Sequence, residues 1–200
     1  MQRIVVPGEK LLDRPMQFEN AMVDNGKTYS TVVGVFLEDK GTLIPLEGLW
    51  YPRRGDRVIG IVEEEKLNVY MINLNAPYKG ILIAKFVRTK LNVGDVIEAE
   101  VDELDKTKTV VLDRPRKMFG GKLMQVNPSK IPRIIGKGDT MLKQLTEGTK
   151  CTMVVGMNGM VWIKGGDVGL AARAILKIEE EAHTSGLTNR IKDMMVKKTV

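Results

Sequence analysis

Residues Ile131 to Leu145 read IPRIIGKGDTMLKQL, and no other stretch limits the fold of this chain as strongly. Pro132 to Ile135 ends one short helix, Gly136-Lys137-Gly138-Asp139 makes a tight loop, and Thr140 to Leu145 opens a second helix. Glycine in such a loop lets the chain turn sharply and lets a ligand approach main chain with no Cβ in the way. The N–H groups that begin the second helix then face the ligand, and an anion such as a phosphate suits them. Asp139 complicates this, because its carboxylate is a good N-cap for Met141 or Leu142 and would use the same donors. A carboxylate about 6 Å from a phosphate costs about 1–3 kcal/mol, comparable with what Lys137 returns. The loop therefore has two readings. One is a phosphate grip through Gly136, Lys137 and Gly138 with Arg133 nearby; the other, favoured by Asp139, is a structural turn.

Two hundred residues, 43% of them hydrophobic, suffice for one large core or two to three small ones. Only 5% are aromatic, so Val, Ile, Leu and twelve Met must build those cores. The lone cysteine, Cys151, excludes a disulfide framework and any cysteine-based zinc site, and it fits a reducing cytoplasm. No apolar run approaches the roughly 20 residues of a membrane span, and MQRIVVPGEK lacks a signal peptide's apolar segment. A soluble cytoplasmic protein with no membrane partner is expected. The net charge of +6 favours an anionic partner. Its distribution says more: residues 113–147 hold eight Lys/Arg against three Asp/Glu, whereas residues 1–52 hold five against seven.

The expected fold is mainly β with a C-terminal α+β domain, in three modules. Residues 1–52 alternate short apolar runs with turns, and Asp24-Asn25-Gly26-Lys27 is a strong hairpin signal because Asn and Gly tolerate positive φ. About four strands are expected there. Residues 53–115 have the rhythm of a five-stranded barrel, with two Gly-Asp-x-Val strand starts at Gly55-Asp56 and Gly94-Asp95. Residues 113–122, DRPRKMFGGK, are expected to be an irregular joint whose Arg114, Arg116 and Lys117 form a basic track. Residues 122–200 then supply a strand, the helix-loop-helix stretch, a hairpin turning at Asn158-Gly159, and a helix from about Asp167 to Thr184. His183 reads as a helix-end residue and not a catalyst.

Three resemblances follow from these residues. The Ile131–Leu145 stretch resembles the core of a KH domain, although the family's Gly-x-x-Gly has Asp139 at its fourth position. Residues 53–115 resemble an S1-type OB barrel, a module that stacks bases on aromatics and tracks phosphates with Lys and Arg. The matching positions are Tyr70, Tyr78, Lys79, Phe86 and Arg88, with Tyr70 and Tyr78 expected on the surface and Phe86 in the core. Where the S1 family often carries Trp-x-Val-Asp, this chain has Tyr70-Met71-Ile72-Asn73, a smaller stacking surface with one charge fewer. The module order resembles, over essentially the whole chain, the RNA-binding cap subunit of the archaeal exosome. Val6-Pro7-Gly8, the segment 131–136, the hairpin Gly156 to Gly165 and Glu181 to Thr188 carry that likeness.

The resemblance implies a non-catalytic subunit that captures single-stranded RNA and guides it into a hexameric ring of phosphorolytic RNases for 3′-to-5′ degradation. It further implies three copies per ring, with the first module and the KH domain holding the cap in place, and a structural Gly-x-Asn-Gly. An alternative is a free-standing S1/KH factor acting in transcription or translation. A nuclease is disfavoured, since metal-dependent cleavage needs converging carboxylates. Glu63 to Glu65 and Glu179 to Glu181 instead read as solvated faces, so no metal, cofactor or catalytic residue is expected.

Overall fold

The computed structural model describes residues 2–46, 48–105, 109–182, 184 and 186–196, and the chain divides into two compact units, Met1–Leu49 and Trp50–Val200. The first unit holds β1 (Gln2–Val5), β2 (Lys10–Leu12), β3 (Ala21–Asp24), β4 (Lys27–Ser30), β5 (Gly34–Leu37) and β6 (Thr42–Pro45). These make two three-stranded sheets, β1-β5-β6 and β2-β4-β3, instead of about four strands. β4 and β5 are separate strands: the Ser30 hydroxyl, itself buried, donates to Val32 O at 2.6 Å where the chain bends between them. Asn25 and Gly26 both take positive φ, 47° and 74°, and close the β3–β4 hairpin as expected. Val5, Leu11, Phe36 and Leu43 form the core, with Phe18 stacked on Phe36.

The second unit begins with a closed five-stranded barrel, built from β7 (Arg57–Lys66), β8 (Val69–Asn73), β9 (Lys79–Ile83), β10 (Val96–Leu104) and β11 (Thr109–Met118). The two Gly-Asp strand starts are the same turn built twice. In each, the aspartate carboxylate accepts from the N–H three residues back, Arg53 to Asp56 at 3.1 Å and Asn92 to Asp95 at 2.7 Å. Each glycine takes a φ near 90° and bonds just past the paired segment of the other strand, Gly55 N to Val101 O and Gly94 N to Val62 O, both 2.8 Å. The turns thus lock β7 and β10 together at both ends. A further partner fixes each carboxylate: Trp50 Nε1 at 2.9 Å for Asp56, and the Lys117 ammonium for Asp95.

The run expected as an irregular joint belongs largely to the barrel. β11 continues through Arg114, Arg116 and Lys117 to Met118, paired with β10. Pro115 cannot donate to a ladder, and the strand absorbs it in a bulge: Glu98 pairs with Arg116 and Glu100 with Asp113, while Arg114 takes φ 51°.

The remainder forms β12 (Lys122–Gln125), α1 (Ile131–Ile135), α2 (Thr140–Thr149), β13 (Thr152–Val155), β14 (Met160–Lys164), α3 (Val168–Glu181) and α4 (Leu187–Val196). The sheet order is β12-β14-β13, all antiparallel. Ile131, Ile134, Leu145, Ile175, Ile178 and Ile191 fill the space between sheet and helices. Asp167 caps α3 by accepting from Leu170 N at 2.8 Å. The expected helix from Asp167 to Thr184 stops at Glu181, and α4 adds a helix that the pattern did not announce. His183 lies outside the described residues.

The hairpin between β13 and β14 joins this domain to the barrel. Asn158, 2% exposed, donates to Ile59 O at 2.7 Å and Leu74 O at 2.8 Å and accepts from Ile59 N at 3.2 Å. Met157 N adds a bond to Arg57 O at 2.7 Å. A Cβ on Gly156 would lie 2.4 Å from Asn158 Oδ1, and one on Gly159 would lie 2.4 Å from Val126 O. Both glycines of Gly-x-Asn-Gly are therefore required by close approach. Ile59 of the barrel, with Met160 and Trp162 of β14, forms a shared core beside this seam.

Two outcomes test this framework. Asn158→Ala leaves three buried main-chain groups without partners and should cost about 3 kcal/mol in urea unfolding; a loss under about 0.5 kcal/mol would show that the seam carries no stability. For Asp95, the bond from Lys117 first and that from Asn92 N–H second hold the carboxyl below its ordinary value of 3.8. A depressed carboxyl stabilises the fold above its unfolded pKa and loses that contribution as pH falls through its folded value. The melting-temperature gap between the native chain and Asp95→Asn should therefore be widest near neutrality, narrow as pH drops below about 4, and close at lower pH.

Candidate nucleic-acid interface

Four of the residues expected to contact nucleic acid meet in one place. Arg88, Arg114, Arg116 and Lys117 line a groove of about 510 Å³ with Val87, Thr89, Leu91, Asp113 and Pro115. The β11 bulge supplies one wall, and the segment after β9 supplies the other. The groove is not a bare basic track. Arg114 bonds Glu100 at 2.7 Å, Arg116 bonds Glu98 at 2.7 Å, and Lys117 pairs with Asp95, so β10 and the turn before it lay a carboxylate beside each cation of β11. The arginines are nonetheless accessible, with side chains 74% and 63% exposed, whereas Lys117 is only 16% exposed. The exposed Arg114–Glu100 pair contributes about 0–1 kcal/mol, so a phosphate can replace that carboxylate at little cost, whereas Glu98 is buried and holds Arg116 more firmly. Arg88 is exposed and has no ion pair among the described residues.

Tyr70 corrects the expected stacking surface. It is 5% exposed and sits in the barrel core with Ile72, Leu74 and Leu82. Alternation along a strand decides this, since Tyr70 and Ile72 share the inward face of β8. The outward residues Val69 and Met71 stand opposite Ile83 and Ile81 of β9, so the outer face here is aliphatic. Tyr78 is half-buried, and Lys79 beside it is exposed. Tyr51, which the sequence reading passed over, meets Tyr78 edge-on at 6.4 Å and is largely exposed. Its signal was the run Trp50-Tyr51-Pro52 directly ahead of the first Gly-Asp turn. The side chain of Phe86 lies outside the described residues.

The helix-loop-helix loop also differs from expectation. Asp139 makes no side-chain cap to α2, because it sits in the left-handed region at φ 63°. Gly138 before it has φ 60°, so two successive left-handed residues carry the chain into α2. Gly136 is sterically required, since a Cβ there would lie 2.8 Å from Met141 N. Lys137, Gly138 and Asp139 are exposed. Arg133 does not project toward this loop's donors alone: its Nε donates to Ala182 O at 2.8 Å and its terminal nitrogen to Thr184 O at 3.3 Å, tying α1 to the end of α3. Glu181 beside that knot is held by Lys177 and Arg190, which lower its carboxyl pKa. Among the described residues no cluster of His, Cys, Asp or Glu could hold a metal ion, and no helix is long and apolar enough to cross a membrane.

Comparison with known proteins places the chain. Residues 121–169 match the KH domain family. The exosome complex component Rrp4 of Methanothermus fervidus is 36% identical over 212 residues, spanning 97% of this chain and 95% of that protein. Rrp4 of Pyrococcus furiosus is 34% identical over 222 residues, spanning 98% and 84% respectively. A crystal structure assigned as an exosome complex RNA-binding protein superposes with a TM-score of 0.69 at 31% identity, covering 76% of this chain and 98% of that one. The barrel, the Gly-x-Asn-Gly seam and the KH domain thus sit in a chain that, along its whole length, belongs to the family of exosome complex component Rrp4.

Proposed function

We propose that this chain is the RNA-binding cap subunit of an archaeal exosome, acting in the cytoplasm without catalysing cleavage itself. It captures single-stranded RNA and guides it into a ring of phosphorolytic RNases, with three copies on a hexameric ring. The Rrp4 relatives are exosome complex components, and the similar crystal structure is assigned as an exosome complex RNA-binding protein. The observation that carries the reading is the β11 groove, lined by Arg88, Arg114 and Arg116, in which Arg114 has an exposed, exchangeable carboxylate partner and Arg88 has none among the described residues. Such a site holds a phosphate backbone and reads no base edges, which suits a subunit that must pass any sequence onward. Tyr78 and Lys79 with Tyr51 offer a second, stacking contact on the same barrel. The KH loop, by contrast, has little to add, because Arg133 is committed to main chain and Asp139 keeps a negative charge at the loop.

The first unit supplies the docking face in this reading. On the outer side of sheet β1-β5-β6, Ile4, Val35 and Ile44 lie directly opposite one another, and Ile4 and Ile44 are 68% and 46% exposed. Val6 and Val33 extend the patch. Burying an aliphatic ladder of this size against a ring subunit is the natural use of a sheet face left apolar on both sides.

Two measurements test the proposal. Replacing Arg88 and Arg114 together by Ala should weaken binding of a single-stranded RNA about tenfold at moderate salt and flatten the log-affinity against log-salt slope by about 1.4. An unchanged slope would remove the groove from the RNA path. Independently, purification of the tagged chain from its native cells should recover phosphorolytic RNase subunits, and Ile4→Asp with Ile44→Asp should abolish that recovery while leaving RNA affinity intact. Recovery of ribosomal or polymerase proteins in place of the ring would favour the free-standing factor.

A further inference from the structure

Between β11 and β12 the chain turns through Phe119, Gly120 and Gly121. This turn is held firmly from β14. Trp162 Nε1 donates to Gly120 O at 2.7 Å, and Lys164 Nζ donates to Phe119 O at 2.7 Å. A Cβ on Gly121 would lie 2.7 Å from both Ile163 O and Trp162 Nε1, so the turn is pressed against the strand. Trp162 is itself buried in the core shared by barrel and KH sheet. The backbone is fixed, yet the Phe119 side chain is 63% exposed.

The ring has a neighbour that joins it to the groove. Lys117 Nζ lies 5.5 Å from the Phe119 centroid, and the same lysine lines the groove and is anchored by Asp95. The groove therefore ends at an aromatic ring with a cation held beside it. Lys122 and Lys164, both exposed, follow on the KH side of the turn, and the Lys164 ammonium keeps two further N–H donors after bonding Phe119 O.

We infer that Phe119 is a stacking platform for one unpaired base of RNA leaving the β11 groove, with Lys164 and Lys122 taking the phosphates that follow. This rests on the RNA-capture reading above and extends the path from the barrel across the seam onto the KH domain. A phenyl ring suits the task because every base has a π-face, so the contact is sequence-tolerant. Fixing the turn in advance removes the ordering cost that a flexible loop would lose on binding.

The test uses the full chain and a single-stranded oligoadenylate, beside an abasic oligomer of equal length. Phe119→Ala should weaken oligoadenylate binding about tenfold, Phe119→Leu nearly as much, and Phe119→Trp should restore it. Affinity for the abasic oligomer should be the same for all four proteins, a pattern that loss of folding would not produce, and unchanged urea midpoints would confirm it. Equal oligoadenylate binding by the native chain and Phe119→Ala would overturn the inference while leaving RNA capture standing. Loss of ring subunits from Phe119→Ala with RNA affinity intact would assign the ring to a protein contact and overturn it as well. If the native chain bound neither oligomer, the RNA-capture reading itself would fall, and this inference with it.

Discussion

The arrangement of the second unit depends on one primary amide. Asn158 reaches out of the β13–β14 hairpin and satisfies three main-chain groups on the barrel, two at Ile59 and one at Leu74. No other side chain of this length offers two donors and an acceptor: aspartate lacks the donors, and serine has a single hydroxyl. Buried groups of this kind are costly when unpaired, so the seam tolerates little sliding. It also sets the register in which Ile59, Met160 and Trp162 share one core. Trp162 in turn fixes the turn at residues 119–121, so the relation between the β11 groove and the KH domain follows from the amide.

What was legible in the sequence was mostly turn chemistry. Asp24-Asn25-Gly26 and the two Gly-Asp strand starts act through local bonds that the residues themselves supply, and they sit where the sequence puts them. The reciprocal locking of β7 and β10 was legible only as a repeat, because its bonds run between residues far apart in the chain, such as Gly55 to Val101. Tyr70 shows a different limit. Aromatics on a barrel strand were expected outside, but parity along β8 puts Tyr70 on the same side as Ile72, and the barrel interior had room for a tyrosine ring. Pro115 shows a third, since a breaker in the sequence became a bulge inside a strand whose pairing with β10 continues on both sides.

Charge was the least legible property. The excess of cations between residues 113 and 147 is real, but it says nothing of what stands across the ladder. The turn before β10 and β10 itself carry Asp95, Glu98 and Glu100 at the positions where Lys117, Arg116 and Arg114 arrive, a relation invisible along the chain. The pairs differ in what they can do. Lys117 is enclosed and holds a strand-start turn together, so it belongs to the barrel's structure. Arg114 is tethered loosely in solvent, which aims it without holding it against a better anion, while Arg116 is tied more firmly to the buried Glu98.

The same distinction separates the two modules. In the KH domain, Arg133 is spent on the carbonyls of Ala182 and Thr184, and Asn158 is spent on the barrel, so two of its polar side chains are consumed by internal joints. Asp139 does not cap α2, but in the left-handed region its carboxylate stands in solvent at the loop where a phosphate would approach. A buried joint of main-chain bonds costs several kcal/mol to open, whereas an exposed Arg–Glu pair costs about 1 kcal/mol or less. A binding site is built from interactions that can be exchanged cheaply, and the RNA path proposed above runs through the groove beside β11, where the exposed Arg114–Glu100 pair is of that kind. The KH fold serves as the rigid frame from which β14 presents the end of that groove.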